Sequence, residues 1–296
     1  MNQRMNKKFL LVLKTMRPKQ WLKNVFVFAG LVFDRQLIIP ESVLITLAAA
    51  FLFSLASSLV YIINDLSDIE TDRQHPSKRQ RPLPSGQLSR RTAILSAIFL
   101  GVITFPIAFW LNNELGLILL GYVVLMLVYS FWLKHIPLID VIIIAAGFVL
   151  RVTAGVVIIE TERFSPWLIV ATVFLALLLG LGKRRAEIEL LNSQAPNHRR
   201  VLNGYTLELL DQLLTIVLST TLMTYCLYTF SAAITPGGYH MMLTIPFVIY
   251  GLFRYLFLVR IKHFGGAPEE IVLSDRPMQL TIGLWGLTVL VILYLL

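Results

Sequence analysis

The chain has 296 residues, of which 56% are hydrophobic and 15% charged, and its formal net charge is +9. That balance excludes a water-soluble globular domain, in which roughly 25% of residues are charged. A positive excess in so apolar a chain points to anionic headgroups or phosphorylated ligands and away from nucleic acid.

The first element is a basic segment, residues 1–23, that ends in Lys19 and Lys23. No small-residue cleavage site follows the next apolar run, so a removable signal peptide is not expected. Apolar windows of about 17 to 25 residues, long enough to span a hydrocarbon core, then recur. They run over Glu41–Ile63, Thr92–Leu111, Leu115–Leu133, Asp140–Ile159, Ser165–Gly182, Glu208–Ile234, Leu243–Val259 and Pro277–Leu296. With the shorter run Val25–Phe33, the pattern predicts an all-α polytopic membrane bundle of about nine transmembrane helices. Such long runs do not suit barrel strands, and an open sheet edge cannot face lipid. The whole of 1–296 reads as one transmembrane domain.

Lysine and arginine placement predicts the orientation, because short cytoplasmic loops retain positive charge. With the N-terminus in the cytoplasm, all 26 lysines and arginines except Arg35, Arg163 and Arg151 fall in cytoplasmic segments. The loops near Asn112–Glu114 and Thr235–His240 hold none. The expected location is the cytoplasmic membrane, with the polar chemistry on its inner face. Cys226 is the only cysteine, so neither a disulfide framework nor a thiol pair for zinc is available.

The run Asn64-Asp65-Leu66-Ser67-Asp68-Ile69-Glu70-Thr71-Asp72 closes the first long window. On a helix, Asp65, Asp68 and Asp72 stack on one face, where like charges repel. A cation has to compensate them, and oxygen ligands at this spacing suit Mg²⁺, which usually takes one or two carboxylates plus substrate phosphate oxygens. The plain alternative is a solvated helix end. In the following stretch, His75 to Gly86, three prolines and a glycine stop the helix. The loop carries Lys78, Arg79 and Arg81, and a guanidinium fork suits the anion that a metal would bridge. An ordinary positive-inside loop would read similarly.

These two stretches together resemble the first signature of the UbiA superfamily of intramembrane prenyltransferases. The resemblance implies a nine-helix bundle with active-site loops at 64–91 and 183–207. It further implies that Asn64, Asp65, Asp68 and Asp72 bind Mg²⁺ and a diphosphate leaving group. Typical members carry a second aspartate-rich motif after helix six. Here the same place reads Gly182-Lys183-Arg184-Arg185-Ala186-Glu187-Ile188-Glu189. Helical pairing of Lys183 with Glu187 and of Arg185 with Glu189 is one reading, worth tenths of a kcal/mol. The sharper reading is a cationic clamp for a phosphate that the metal does not reach.

That replacement resembles the decaprenyl-phosphate phosphoribosyltransferase branch of the superfamily. So do Arg17 to Asn24, Tyr129 to Lys134, Asp140 to Arg151, and Gly265 to Glu270 with Asp275-Arg276-Pro277. Arg151 falls midway along a span, where a charge is costly unless it meets a cavity or a partner. Asp140, eleven residues earlier, lies on the same helical face. A polar cavity shared by the two is expected, with a structural ion pair to another helix as the alternative.

The branch implies Mg²⁺-dependent transfer of 5-phosphoribose from 5-phosphoribosyl 1-diphosphate to a polyprenyl, decaprenyl-type, phosphate. A polyprenyl phosphate is largely dianionic at neutral pH, with a second pKa near about 6, so no general base is needed. The five histidines show no catalytic pairing. Transfer of a prenyl group to an aromatic acceptor is the competing enzyme reading, and it would need a second acidic clamp. A secondary transporter would show inverted repeats and broken helices, and no defensible repeat is seen. Assembly into a homo-oligomer is left open.

Overall fold

The computed structural model describes residues 2–74, 78–161, 165–193, 204–231, 239–262, 271 and 274–296. Parts of the expected functional segments lie outside them: 75–77 of the basic loop, 194–203 of the second loop, Glu162 and Arg163, most of the 235–240 turn, and the Gly265–Glu270 stretch.

The described residues are helical and contain no strand. The helices are α1 (Asn2–Thr15), α2 (Ala29–Phe33), α3 (Pro40–Ser67), α4 (Ile69–Gln74), α5 (Arg90–Leu111), α6 (Asn113–Phe131), α7 (Ile139–Ile158), α8 (Pro166–Ser193), α9 (Leu207–Phe230), α10 (Ile245–Arg260) and α11 (Arg276–Tyr294). Local chemistry sets their starts. Proline opens α3 and α8, where its missing N–H costs nothing. Ser89, Thr206 and Asp275 accept the backbone N–H of Thr92, Leu209 and Met278 at 3.2, 3.1 and 2.9 Å, capping α5, α9 and α11.

Eight helical segments among the described residues are long and apolar enough to cross a membrane, matching the eight long windows. The chain is an integral, multi-pass membrane protein. The ninth apolar run behaves differently. Pro18–Phe28 is a 3₁₀ helix that passes directly into the five-residue α2. At about 2.0 Å rise per residue in the first part and about 1.5 Å in the second, Pro18–Phe33 extends roughly 30 Å, comparable with a hydrocarbon core. It reaches that length without an α-helix of spanning size.

The chain forms two compact units. The first comprises Met1–Leu31, Leu37–Phe131 and Leu150–Glu160; the second comprises Val32–Gln36, Trp132–Val149 and Thr161–Leu296. In the first, α3 is the most enclosed span, with 67% of its apolar window buried, against 22% for α5. Phe53, Ala56, Leu59, Leu115 and Leu119 form its core with Val27 and Leu31 of the 3₁₀ and α2 stretch. Gly155 permits backbone contact there: a Cβ at that position would lie 1.7 Å from the Val27 carbonyl oxygen. In the second unit, Leu178, Leu181, Leu210, Leu214 and Val259 pack together, and a further cluster gathers Tyr225, Tyr228, Met241 and Val289. Side chains such as Phe99, Val102, Phe253 and Leu280 stay exposed, as suits a surface in contact with lipid.

Candidate active site

The acidic run does not continue as one helix. α3 ends at Ser67, Asp68 adopts a non-helical conformation (φ −96°, ψ 9°), and α4 begins at Ile69. The Asp72 N–H still reaches the Asp68 carbonyl at 2.8 Å, so the turn is tight and Asp65 and Asp72 come together. Both are buried, at 1% and 2% exposure. Arg81 Nη1 lies 3.2 Å from Asp65 Oδ1 and 2.7 Å from Asp72 Oδ2. Lys78 Nζ stands 3.5 Å from Asp72. Asn64 and Asp68 are half-buried, and Ser67 donates to Asp68 at 3.2 Å.

A second guanidinium sits on the same carboxylate, and it was not among the candidates drawn from the sequence. Arg17 donates from Nη2 to Asp65 Oδ1 and stacks over the Tyr61 ring, 4.8 Å from its centroid. Its backbone is left-handed (φ 55°, ψ 63°), a conformation that a non-glycine residue rarely adopts. Its sequence signals are its place before Pro18 and in the Arg17 to Asn24 stretch, neither of which shows the backbone strain or the contact with Asp65.

The basic loop is held by its own main chain. Ser85 and Gly86 donate N–H groups to Arg81 and Leu83 at 3.0 and 3.1 Å, and Leu88 donates to Pro82 at 2.8 Å. Gly86, at φ +76°, takes a conformation open to glycine. Arg73 Nε ties the loop to α4 through the Pro84 carbonyl at 3.2 Å. Arg79 and Lys19 are exposed, whereas Lys23 and Lys134 are half-buried.

Among the described residues no three His, Cys, Asp or Glu side chains converge as a metal cage. The donor set nonetheless fits a hard divalent ion of the Mg²⁺ type. Two buried carboxylate oxygens already face one cationic nitrogen, and Mg²⁺ is commonly held by one or two carboxylates with phosphate and water completing the shell.

Arg151 is 5% exposed in the first unit. Its Nε donates to Asn24 Oδ1 at 2.8 Å and its Nη2 to the Tyr122 hydroxyl at 3.0 Å. Its charge also lies 4.9 and 4.8 Å from the Phe53 and Tyr122 ring centroids. Its contacts thus include an amide, a phenol and two aromatic faces. Asn24 is in turn tied to Ser54 Oγ at 2.8 Å.

Asp140, fully buried, belongs to the second unit. Arg184 Nε donates to its Oδ2 and the Tyr205 hydroxyl to its Oδ1, both at 2.6 Å. Arg184 also pairs with Glu187. Tyr205 accepts the N–H of Leu138 at 2.6 Å, and Leu138 is left-handed at φ 68°. Burial, together with the bond donated to Asp140, pushes the Tyr205 hydroxyl pKa up. Arg185 Nε meets Asp211 at 2.8 Å, its Nη1 meets Glu189 at 2.9 Å and the Val259 carbonyl at 3.1 Å, and Arg260 joins the same aspartate at 3.0 Å. The expected pairing of Arg185 with Glu189 is therefore present. Arg184, at 1% exposure, is enclosed by carboxylates where the sequence suggested a cation presented to substrate. Tyr205 and Asp211 were not singled out from the sequence; an acid placed early in an apolar span was the available signal for Asp211.

Residues 24–267 match the model of the UbiA prenyltransferase family, and the chain belongs to that family. Within it, the chain is 33% identical over 291 residues to a decaprenyl-phosphate phosphoribosyltransferase of Corynebacterium glutamicum, covering 96% of this chain and 87% of that protein. It is 33% identical over 287 residues to the protein of the same name from Mycobacterium tuberculosis strain H37Rv, covering 94% and 92%. Among solved structures, a UbiA homolog from Archaeoglobus fulgidus bound to GPP and Mg²⁺ superposes with a TM-score of 0.71 at 21% identity, over 96% of this chain and 99% of that one.

Proposed function

We propose that this protein transfers 5-phosphoribose from 5-phosphoribosyl 1-diphosphate to a polyprenyl phosphate, releasing diphosphate, at the cytoplasmic face of the cytoplasmic membrane. The reading is carried by the similarity, over nearly the full length of both chains, to relatives named for phosphoribosyl transfer to decaprenyl phosphate. A basic segment, Lys183 to Arg185, in the place of a second aspartate motif supports it.

Asp65 and Asp72, with Asn64 and Asp68 beside them, are the groups proposed to hold Mg²⁺. A metal ion there would neutralise the charge that builds on the leaving diphosphate. Lys78, Arg79 and Arg81 supply the adjoining cations, and Arg81, bridging both carboxylates, is suited to a bidentate grip on phosphate. Lys19, Lys23, Lys134 and Lys183 are proposed as further phosphate-binding cations. Arg184, Arg185, Glu187 and Asp140 hold the end of α8 that carries Lys183, and Arg151 braces the 3₁₀ segment through Asn24.

In the reaction the anomeric C–O bond to diphosphate breaks and a phosphate oxygen of the lipid forms the new bond to that carbon. The carbon passes through an oxocarbenium-like state, as in glycosyl transfer. The nucleophile is already an anion, so the protein moves no proton. Its work is alignment and charge complementarity.

The test is incubation of purified protein, Mg²⁺, labelled phosphoribosyl diphosphate and polyprenyl phosphate, followed by lipid extraction. Label should enter the lipid fraction, and chelator or Asp65→Asn should abolish its entry. Transfer of a prenyl chain to an aromatic acceptor, with phosphoribosyl diphosphate ignored, would overturn the assignment.

A further inference from the structure

Within the first unit, Arg17 and Arg81 place two guanidinium groups on one oxygen of Asp65, while Arg81 and Lys78 meet Asp72. Three protein cations thus face two buried carboxylates, and adding Asp68 only brings the count to neutrality. A divalent ion entering alone would meet cations already seated on its ligands and leave a strong positive excess. A divalent ion accompanied by diphosphate brings the compensating negative charge, and the displaced guanidinium gains phosphate oxygens, its preferred bidentate partner.

We infer that metal and donor diphosphate load together, and that Arg17 is the counter-ion that vacates Asp65 to admit the metal and then binds the diphosphate. Three features single out Arg17. Its left-handed backbone holds it in a conformation that persists only where the surroundings impose it. The two side chains are similarly exposed, 26% for Arg17 and 29% for Arg81, but Arg81 is held by Asp72 as well as by Asp65, whereas the carboxylate that Arg17 meets is Asp65. The Tyr61 face beneath it offers a resting place for the cation that is independent of Asp65. The inference rests on the reading of Asp65 as a metal ligand.

Equilibrium dialysis of Mn²⁺, standing in for Mg²⁺, against the detergent-purified full chain reads this directly. For the wild type, inorganic diphosphate should strengthen metal binding by about tenfold, within the usual range of site-to-site coupling. Arg17→Gly suits a left-handed position without strain. It should bind Mn²⁺ alone about tenfold more tightly than the wild type and show little further response to diphosphate. Arg17→Lys keeps the charge and should retain the linkage. Equal Mn²⁺ affinity with and without diphosphate, or an unchanged metal-only affinity in folded Arg17→Gly, overturns the inference while Asp65-dependent binding survives. Identical Mn²⁺ binding by Asp65→Asn and the wild type removes the metal reading itself, and this inference with it.

Discussion

Replacing Arg184 separates two roles that predict different losses. If its guanidinium contacted substrate from an open site, Arg184→Met would raise the KM for the donor and leave the fold intact. Its side chain is instead 2% exposed and its partner Asp140 is fully buried. Removing it breaks the 2.6 Å pair and leaves an aspartate in the interior with the Tyr205 hydroxyl as its remaining described partner. Breaking a buried pair by deleting one member costs about 3–5 kcal/mol. The Glu187 contact adds little, because that carboxylate is 25% exposed and water replaces the lost partner. At about 2 °C per kcal/mol for a chain of this size, the melting temperature should fall by about 6–10 °C. The double variant Arg184→Met/Asp140→Asn removes the stranded charge and keeps an acceptor for Tyr205, so it should recover roughly half of that loss. Thermal unfolding in detergent, run beside donor KM measurements, decides the matter. A single variant that melts with the wild type yet binds donor poorly would refute the reasoning and restore the exposed clamp.

Arg151→Leu should lower stability by about 1–3 kcal/mol, since Asn24 and Tyr122 lose a buried donor; a melting temperature at or above the wild type would show that the site relaxes without cost. Gly155→Ala drives a methyl group into the Val27 carbonyl, so a loss of about 1–3 kcal/mol is expected. Gly283→Ala, which meets open space, serves as the control, and equal melting temperatures for the two would contradict the close approach. Asp275 accepts a hydrogen bond from Arg254 and another from the Met278 N–H, and its pKa is lowered. A lowered folded-state pKa makes its contribution complete above the ordinary carboxylate pKa and lost as pH falls through the folded value. The melting temperature should therefore drop as pH falls below the ordinary carboxylate value of 3.8, and Asp275→Asn should shrink that drop.

Much of the architecture was legible because lipid imposes a length rule on apolar runs, and eight of those runs became spanning helices at nearly the expected bounds. The short ninth run eluded it because residue counting assumes an α-helical rise, whereas Pro18–Phe28 winds as a 3₁₀ helix. At the site, the 65/68/72 spacing correctly brought Asp65 and Asp72 together, but the break at Asp68 has no marker stronger than a serine and an aspartate. Nor could spacing show that α7 and α8 bring Asp140 to Arg184, 44 residues away, so cations that looked available are seated on carboxylates. Sequence reading locates charge well. What neutralises that charge depends on packing between distant segments.

The hydroxyls along α3 carry a consequence for how the protein is made. Thr46, Ser54 and Ser58 donate to the carbonyls of Ser42, Ala50 and Ser54 one turn back, at 2.7, 2.8 and 2.7 Å. Each hydroxyl thus brings its own acceptor into the bilayer, and the helix can enter lipid without a neighbour to satisfy it. Ser54 and Ser58 then have lone pairs left for Asn24 Nδ2 and Trp21 Nε1, which reach them at 2.8 and 3.0 Å. Insertion and assembly are thereby separable in time, as in two-stage membrane folding: α3 can be threaded first as a self-contained rod, and the stretch synthesised before it docks afterwards onto hydroxyls already in place.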